Sequence, residues 1–118
     1  MAITALSYIG VNSDKLEDWS DYSQKNLGMQ LVDRGKDILS FRMDDQKQRL
    51  TITGDKGDNL GFMGWEVENK EDLELFATKL EKNKIDVHQG KNSFADKRFV
   101  EDLIYFNDPQ GNRVELVY

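Results

Sequence analysis

Apolar residues along the chain follow two periods, and the order of those periods occurs twice. Ala5 to Val11 alternates, with Leu6, Tyr8 and Gly10 on one side and Ser7, Ile9 and Val11 on the other, which predicts a strand. The period then lengthens. Leu16, Trp19, Tyr22 and Ser23 recur at helical spacing, which predicts a helix between Asp14 and Gly28. Asp14 is the expected cap, and Glu17 three residues later can reach back to it as in a capping box. Gly28 suits the left-handed residue that ends a helix. Three short strand-like runs follow, Met29–Val32, Ile38–Met43 and Arg49–Thr53. They are separated by the turn Arg34-Gly35-Lys36-Asp37 and by the polar Asp44-Asp45-Gln46-Lys47.

After the polar loop Gly54–Asn59 the same grammar returns. Leu60 to Val67, carrying Phe62, Met63 and Trp65, reads as a strand. Asn69 is placed to cap a helix, with Glu71 and Asp72 in its first turn and Leu73, Phe76, Ala77 and Leu80 as its apolar stripe, ending near Asn83. Ile85–His88, Phe99–Phe106 and Arg113–Tyr118 read as three further strands, and Gly90 to Arg98, which has no period, as a loop. Before the last strand, Asn107-Asp108-Pro109-Gln110-Gly111-Asn112 is a tight turn, with Pro109 presetting φ at a corner. The expected fold class is therefore α+β, with two βαβββ modules at about 5–53 and 60–118 in a single domain spanning 1–118. In each module the helix can cover one face of the sheet. The two free faces are then expected to curl around a shared cleft.

Composition narrows the chemistry. A chain of 118 residues suits one domain with one core. It has no cysteine, which excludes a disulfide framework, a thiolate zinc site and a cysteine nucleophile. The net charge of -6, with 32% charged residues, argues against nucleic acid or an anionic membrane as a partner. No apolar run approaches the roughly 20 residues that span a bilayer, and the first residues do not form a secretory signal. A cytoplasmic location is expected.

Glu115 stands out, because it is a carboxylate inside the otherwise apolar Val114–Tyr118, where an unpaired charge would be costly to bury. It either faces solvent on an alternating strand or points into a concavity as a metal ligand or the remnant of one. His88 is the only histidine, so a site of two histidines and one carboxylate cannot be built from one copy of the chain. Its position beyond the second helix favours a partly exposed strand or loop residue. No glycine-flanked serine sits at a strand-to-helix elbow. Acidic pairs such as Asp44-Asp45, Asp55/Asp58 and Glu101-Asp102 are expected by chance among 22 carboxylates. The loop with Asp55 and Asp58 lacks the spacing of an EF-hand.

The two modules, the helix ending Leu27-Gly28 and the turn Asp108-Pro109-Gln110-Gly111-Asn112 before Glu115 resemble the vicinal oxygen chelate superfamily, which includes glyoxalase I, bleomycin-resistance proteins and extradiol dioxygenases. Within it, Leu6–Val11, Trp19, Phe41-Arg42-Met43-Asp44, Gly64-Trp65-Glu66-Val67 and Val114-Glu115-Leu116 resemble the N-terminal domain of type I extradiol dioxygenases, which act on biphenyl-2,3-diol and related catechols.

The resemblance carries expectations. In metal-bearing members two histidines and a glutamate bind a divalent metal. The matching positions here are Tyr8, Phe62 (or a residue beside it) and Glu115. Two of three ligands are thus missing, which is the pattern of the metal-free N-terminal domain. The resemblance implies that this chain holds no catalytic residue and no cofactor of its own. Fe(II) is expected in a second, C-terminal domain. Tyr8 and Phe62 are expected to fill the vestigial site, with Glu115 bonded to a tyrosine hydroxyl or to water. The expected role is structural and assembly-related. Its partners would be the catalytic domain or other copies of the chain, and a catechol through the full enzyme. The alternative is a stand-alone, metal-free small-molecule binding protein like the bleomycin-resistance proteins.

Overall fold

A computed structural model describes residues 2–54, 57–90 and 92–118. Asp55, one half of the acidic loop pair, lies outside the described residues. Asp58 is exposed. The chain divides into two compact units. One is Tyr8–Gly61. The other is Phe62–Tyr118 joined by the start of the chain as far as Ser7.

The Tyr8–Gly61 unit contains the second half of β1 (Ile3–Asn12), a helix α1 (Leu16–Asp21), and strands β2 (Gln30–Arg34), β3 (Ile38–Arg42) and β4 (Leu50–Thr53). Its strand order is β2-β3-β4-β1. β1 runs parallel to β4, pairing Val11 with Ile52, and the other neighbours are antiparallel. Leu39, Phe41 and Ile52 are fully buried here, with Val11, Leu16, Trp19, Met29, Leu31 and Leu50 packed around them. The alternation read for β1 is therefore correct in phase, since Val11 turns toward the helix and Tyr8 and Gly10 toward the other face.

Two expectations for the first helix do not hold. The capping box is not formed. The residue at the N-cap position is Lys15, which makes no side-chain cap, and the helix begins at Leu16. Ser13 Oγ instead accepts from the Lys15 N–H at 3.2 Å, and Glu17 pairs with Arg34 across the unit. The helix is also not a uniform α-helix to Gly28. From Tyr22 to Asn26 it widens into a π-helix. The widened turn buries Ser23, leaves Tyr22 half exposed, and sets the Tyr22 ring edge-on to Trp19 at 5.9 Å. Gly28 does terminate the segment, at φ +67°.

The second unit holds β5 (Asn59–Val67) from Phe62 onward, α2 (Lys70–Lys82), β6 (His88–Gln89), α3 (Asn92–Arg98), β7 (Leu103–Asn107) and β8 (Arg113–Val117). Its strand order is β5-β8-β7-β6, with β5 and β8 parallel. The first residues of β1 belong to it as well, and the Thr4 hydroxyl donates to the Glu66 carbonyl. Asn69 caps α2 as expected, its Oδ1 accepting from the Asp72 N–H at 2.9 Å. Leu73, Phe76, Ala77 and Leu80 lie on Val67, Ile104 and Leu116, with Trp65 and Phe106 beside them. Each fully buried leucine or valine contributes about 1.5–3 kcal/mol to this packing.

Three boundaries shift. The expected strand Ile85–His88 shrinks to His88–Gln89, because the chain leaves α2 through a left-handed Lys84 at φ +62°. The stretch expected as a loop, Gly90 to Arg98, contains α3. The strand expected from Phe99 begins only at Leu103, because Phe99 and Val100 close the end of α3. A short helix with no apolar repeat leaves no period to find. Its one sequence signal is Lys97-Arg98 at the end that carries the negative pole of the helix.

Candidate functional site

Strand register decides which side chains share a face. Phe62 pairs with Arg113 and Gly64 with Glu115 between β5 and β8. Tyr105 pairs with Glu115 between β7 and β8, and His88 pairs with Tyr105. So Phe62, Glu115, Arg113, Tyr105 and His88 lie on the face opposite Trp65, Leu116 and Ile104, which carry the α2 core. Gly64, directly beside Glu115, brings no side chain to that face.

Glu115 is completely buried. Of the two readings left open by the sequence, the solvent-facing one is excluded. Two guanidinium groups hold the carboxylate. Arg98, from the end of α3, donates from Nε to Oε1 at 2.9 Å and from Nη2 to Oε2 at 3.2 Å. Arg113, two residues away on the same strand, donates from Nε to Oε2 at 2.9 Å. The fork of Arg98 matches the carboxylate in the two-pronged way that makes such pairs strong.

Flat groups extend the arrangement on both sides. The Arg98 guanidinium lies over the Phe62 ring, 3.9 Å from its centre. The Arg113 guanidinium lies 3.8 Å over Tyr105, and Tyr105 stacks on His88 at 5.1 Å. Five side chains thus line up as Phe62, Arg98, Glu115, Arg113 and Tyr105, with His88 on the outer side of Tyr105. Cation–π contact adds about 0.5–2 kcal/mol per pair, more where water is excluded. Beyond Arg113 and His88 opens a groove of about 520 Å³, also lined by Lys84, Asp86 and Asn107.

The structure brings Phe62 and Glu115 together through Arg98. Tyr8 is buried on β1 in the other unit. His88 is an exposed stacking residue at the sheet edge, not a neighbour of the carboxylate. The sequence reading missed both arginines. Arg113 was legible in principle, since i and i+2 share a strand face. Arg98 was not, because the helix that delivers it has no period.

An iron site does not fit this donor set. Phe62 offers no ligand atom, and both oxygens of Glu115 already accept from cations that a metal would have to displace. Among the described residues no group of three His, Cys, Asp or Glu side chains is gathered.

The turn before β8 is built by Asp108. Its carboxylate accepts from the N–H groups of Gln110 and Asn112 and from the Asn112 amide. These bonds from Asn112 and Gln110 hold its pKa below the ordinary carboxylate value. Gly111 takes the left-handed conformation at φ +83°. The turn fixes where β8 starts, and so which face Glu115 meets.

The chain is similar to a set of known proteins. Residues 6–54 match the family model described as "Dihydroxybiphenyl dioxygenase BphC D1". The whole chain is 31% identical to a biphenyl-2,3-diol 1,2-dioxygenase of Sphingomonas paucimobilis, over 40% of that protein's length. It is 33% identical, over 98% of the chain, to an iron-dependent extradiol dioxygenase of Rhodococcus jostii, again over 39% of the longer protein. A crystal structure of a catechol 2,3-dioxygenase superposes on all of this chain with a TM-score of 0.94 at 33% identity, using 42% of its own length. Over its whole length the chain is thus similar to about 40% of the length of these extradiol dioxygenases, and its residues 6–54 match their D1 model.

The α+β fold expected from the sequence is the vicinal oxygen chelate fold of these extradiol dioxygenases. The likeness of fold persists where sequence has drifted. A homoprotocatechuate 2,3-dioxygenase of Brevibacterium fuscum superposes with a TM-score of 0.85 at 17% identity. The chain spans about 40% of the length of the curated extradiol dioxygenases that it matches. No described helix is long and apolar enough to cross a membrane.

Proposed function

We propose that the two units form one domain, the non-catalytic N-terminal half of an Fe(II)-dependent extradiol dioxygenase that opens a catechol such as biphenyl-2,3-diol. One observation carries the reading. Where the superfamily resemblance puts a metal-binding glutamate, Glu115 is neutralised by Arg98 and Arg113. The cationic charge that a carboxylate at this place requires is supplied by the chain itself. Phe62, at or beside the position that the resemblance assigns to histidine, serves as the platform for Arg98.

On this reading Tyr8, Phe62 and Glu115 are vestigial positions of a metal site, and iron, oxygen and catechol are handled by a second domain. The role of this domain is to pack against the catalytic one and to join subunits in the cytoplasm. The names of the relatives support the reaction class, since they are dioxygenases of biphenyl-2,3-diol, dihydroxynaphthalene and methylcatechol.

The test is the intact mass of the product of the native reading frame, followed by oxygen uptake with 2,3-dihydroxybiphenyl. A product more than twice the length of this chain, active with ferrous iron, is expected. A product no longer than this chain would overturn the two-domain reading. A tight iron site in this chain that is lost in Glu115→Ala would overturn the assignment of the metal to another domain.

A further inference from the structure

The groove beyond Arg113 and His88 takes all its lining from the second unit. Its volume of about 520 Å³ suits a small organic molecule. Its charge departs from that of the chain, which is -6 overall. Among the described residues that line the groove, Lys84 and Arg113 are cations and Asp86 is the carboxylate. The Arg113 guanidinium is fixed in place. Its Nε donates to Glu115 Oε2 at 2.9 Å, and it lies 3.8 Å over the Tyr105 ring. A cation already ordered binds an anion without the cost of ordering it.

Lys84 reaches the groove from a strained backbone. It follows α2 in the left-handed conformation, at φ +62°, where glycine would be unstrained. An outlier of this kind points to a use for its side chain. Lys84 is exposed, and its ammonium joins no ion pair among the described residues.

Flat groups line the same space. The Tyr105 and His88 rings stack 5.1 Å apart with their planes inclined by 22°. A conjugated ring gains from offset or edge contact with such rings beyond the area it buries. A compact anion such as phosphate would use the cations and leave the rings idle, whereas a flat one uses both. Asp86 limits the charge, because a second negative group on the ligand would meet a carboxylate.

We propose that this groove binds a small aromatic monocarboxylate, its carboxylate drawn by Lys84 and Arg113 and its ring against His88 and Tyr105. The site does not depend on the two-domain reading, since every group it needs belongs to the second unit. It is separate from the vestigial positions, because Tyr8, Phe62 and Glu115 do not line it.

The experiment uses the product of the native reading frame, whatever its length. The protein is irradiated with 4-benzoylbenzoate, a photoreactive aromatic carboxylate, and the attached peptides are mapped by mass spectrometry. Labelling is expected within residues 84–89 and 103–107, and benzoate is expected to suppress it. Benzyl alcohol, which lacks the charge, and inorganic phosphate, which lacks the ring, are expected to leave it unchanged. Variants add a sign. Lys84→Gln is expected to weaken protection by benzoate about threefold to tenfold, as loss of a charged hydrogen bond at an exposed site does. Asp86→Asn is expected to strengthen it about twofold, by removing a like charge. Lys70→Gln deletes the same charge at the other end of α2 and is expected to change nothing. All three residues are exposed, so the fold is expected to survive each substitution. Labelling confined to other segments would overturn the proposal. So would protection by phosphate as strong as that by benzoate, or equal effects of Lys84→Gln and Lys70→Gln.

Discussion

Arg98 and Glu115 form a two-pronged ion pair across 17 positions of sequence, with Nε 2.9 Å from Oε1 and the carboxylate wholly inside the protein. The pair ties a seven-residue helix to the last strand. Such a helix is too short to persist by itself. Among the described residues, Ala95, which is buried, and this guanidinium tie it to the unit.

The first prediction concerns the carboxylate. Glu115→Gln keeps the shape and removes the charge, leaving Arg98 and Arg113 facing a neutral amide. Breaking a buried pair costs about 3–5 kcal/mol because the remaining charge is uncompensated. The partial exposure of both arginines moves the expected loss to the lower end, about 3 kcal/mol. Urea unfolding measures it. A loss under about 1 kcal/mol would mean that the cluster is open to water in solution.

The two arginines are not equivalent. Arg98 is the more buried, at 14% side-chain exposure against 30% for Arg113, and it also covers Phe62. Arg98→Met is therefore expected to destabilise more than Arg113→Met. In a double-mutant cycle, Arg98→Met and Glu115→Gln are expected to couple by about 1–3 kcal/mol. Additive losses would show that Arg98 acts through its packing on Phe62 and not through the carboxylate.

How far the sequence revealed this site follows from where its signals are written. The periods of β1 and α2 are local. The stripe of α2 marked Leu73, which is found in a core, and the alternation of β1 separated Val11, which packs on the other core, from Tyr8. Asn69 was legible as a cap because capping is a contact three residues long. Glu115 could be marked as anomalous from its neighbours alone. Its partners could not be named, because Arg98 arrives from a helix without period, and the choice between metal and guanidinium is made by tertiary structure. The capping box at Asp14 failed. The helix starts one residue later than the pattern suggests, after Lys15, and Glu17 turns to Arg34.

The turn at Asp108 gives a pH prediction with a definite sign. Hydrogen bonds from Asn112 and Gln110 lower the folded-state pKa of Asp108, so the carboxylate stabilises the fold above the pKa of the unfolded chain. That contribution is lost as pH falls through the depressed folded value. Titration followed by carboxyl NMR is expected to give Asp108 a pKa below 3.8, the ordinary value. Asn112→Ala should move it upward. An unchanged value in that variant would show that the turn opens in solution.

Lys84 offers a gain of stability. It occupies the left-handed position after α2, at φ +62°, where its N–H donates to Glu81 O and the next N–H, of Ile85, donates to Leu80 O. This is a helix ending that suits glycine. Lys84→Gly removes the crowding of the Cβ while the backbone bonds remain. It is expected to stabilise the fold by about 0.5–1 kcal/mol, read as a higher urea midpoint with an unchanged slope. The same substitution takes a cation from the rim of the groove that His88 and Arg113 line. A loss of stability in Lys84→Gly would mean that the ammonium makes a contact there worth more than the strain it tolerates.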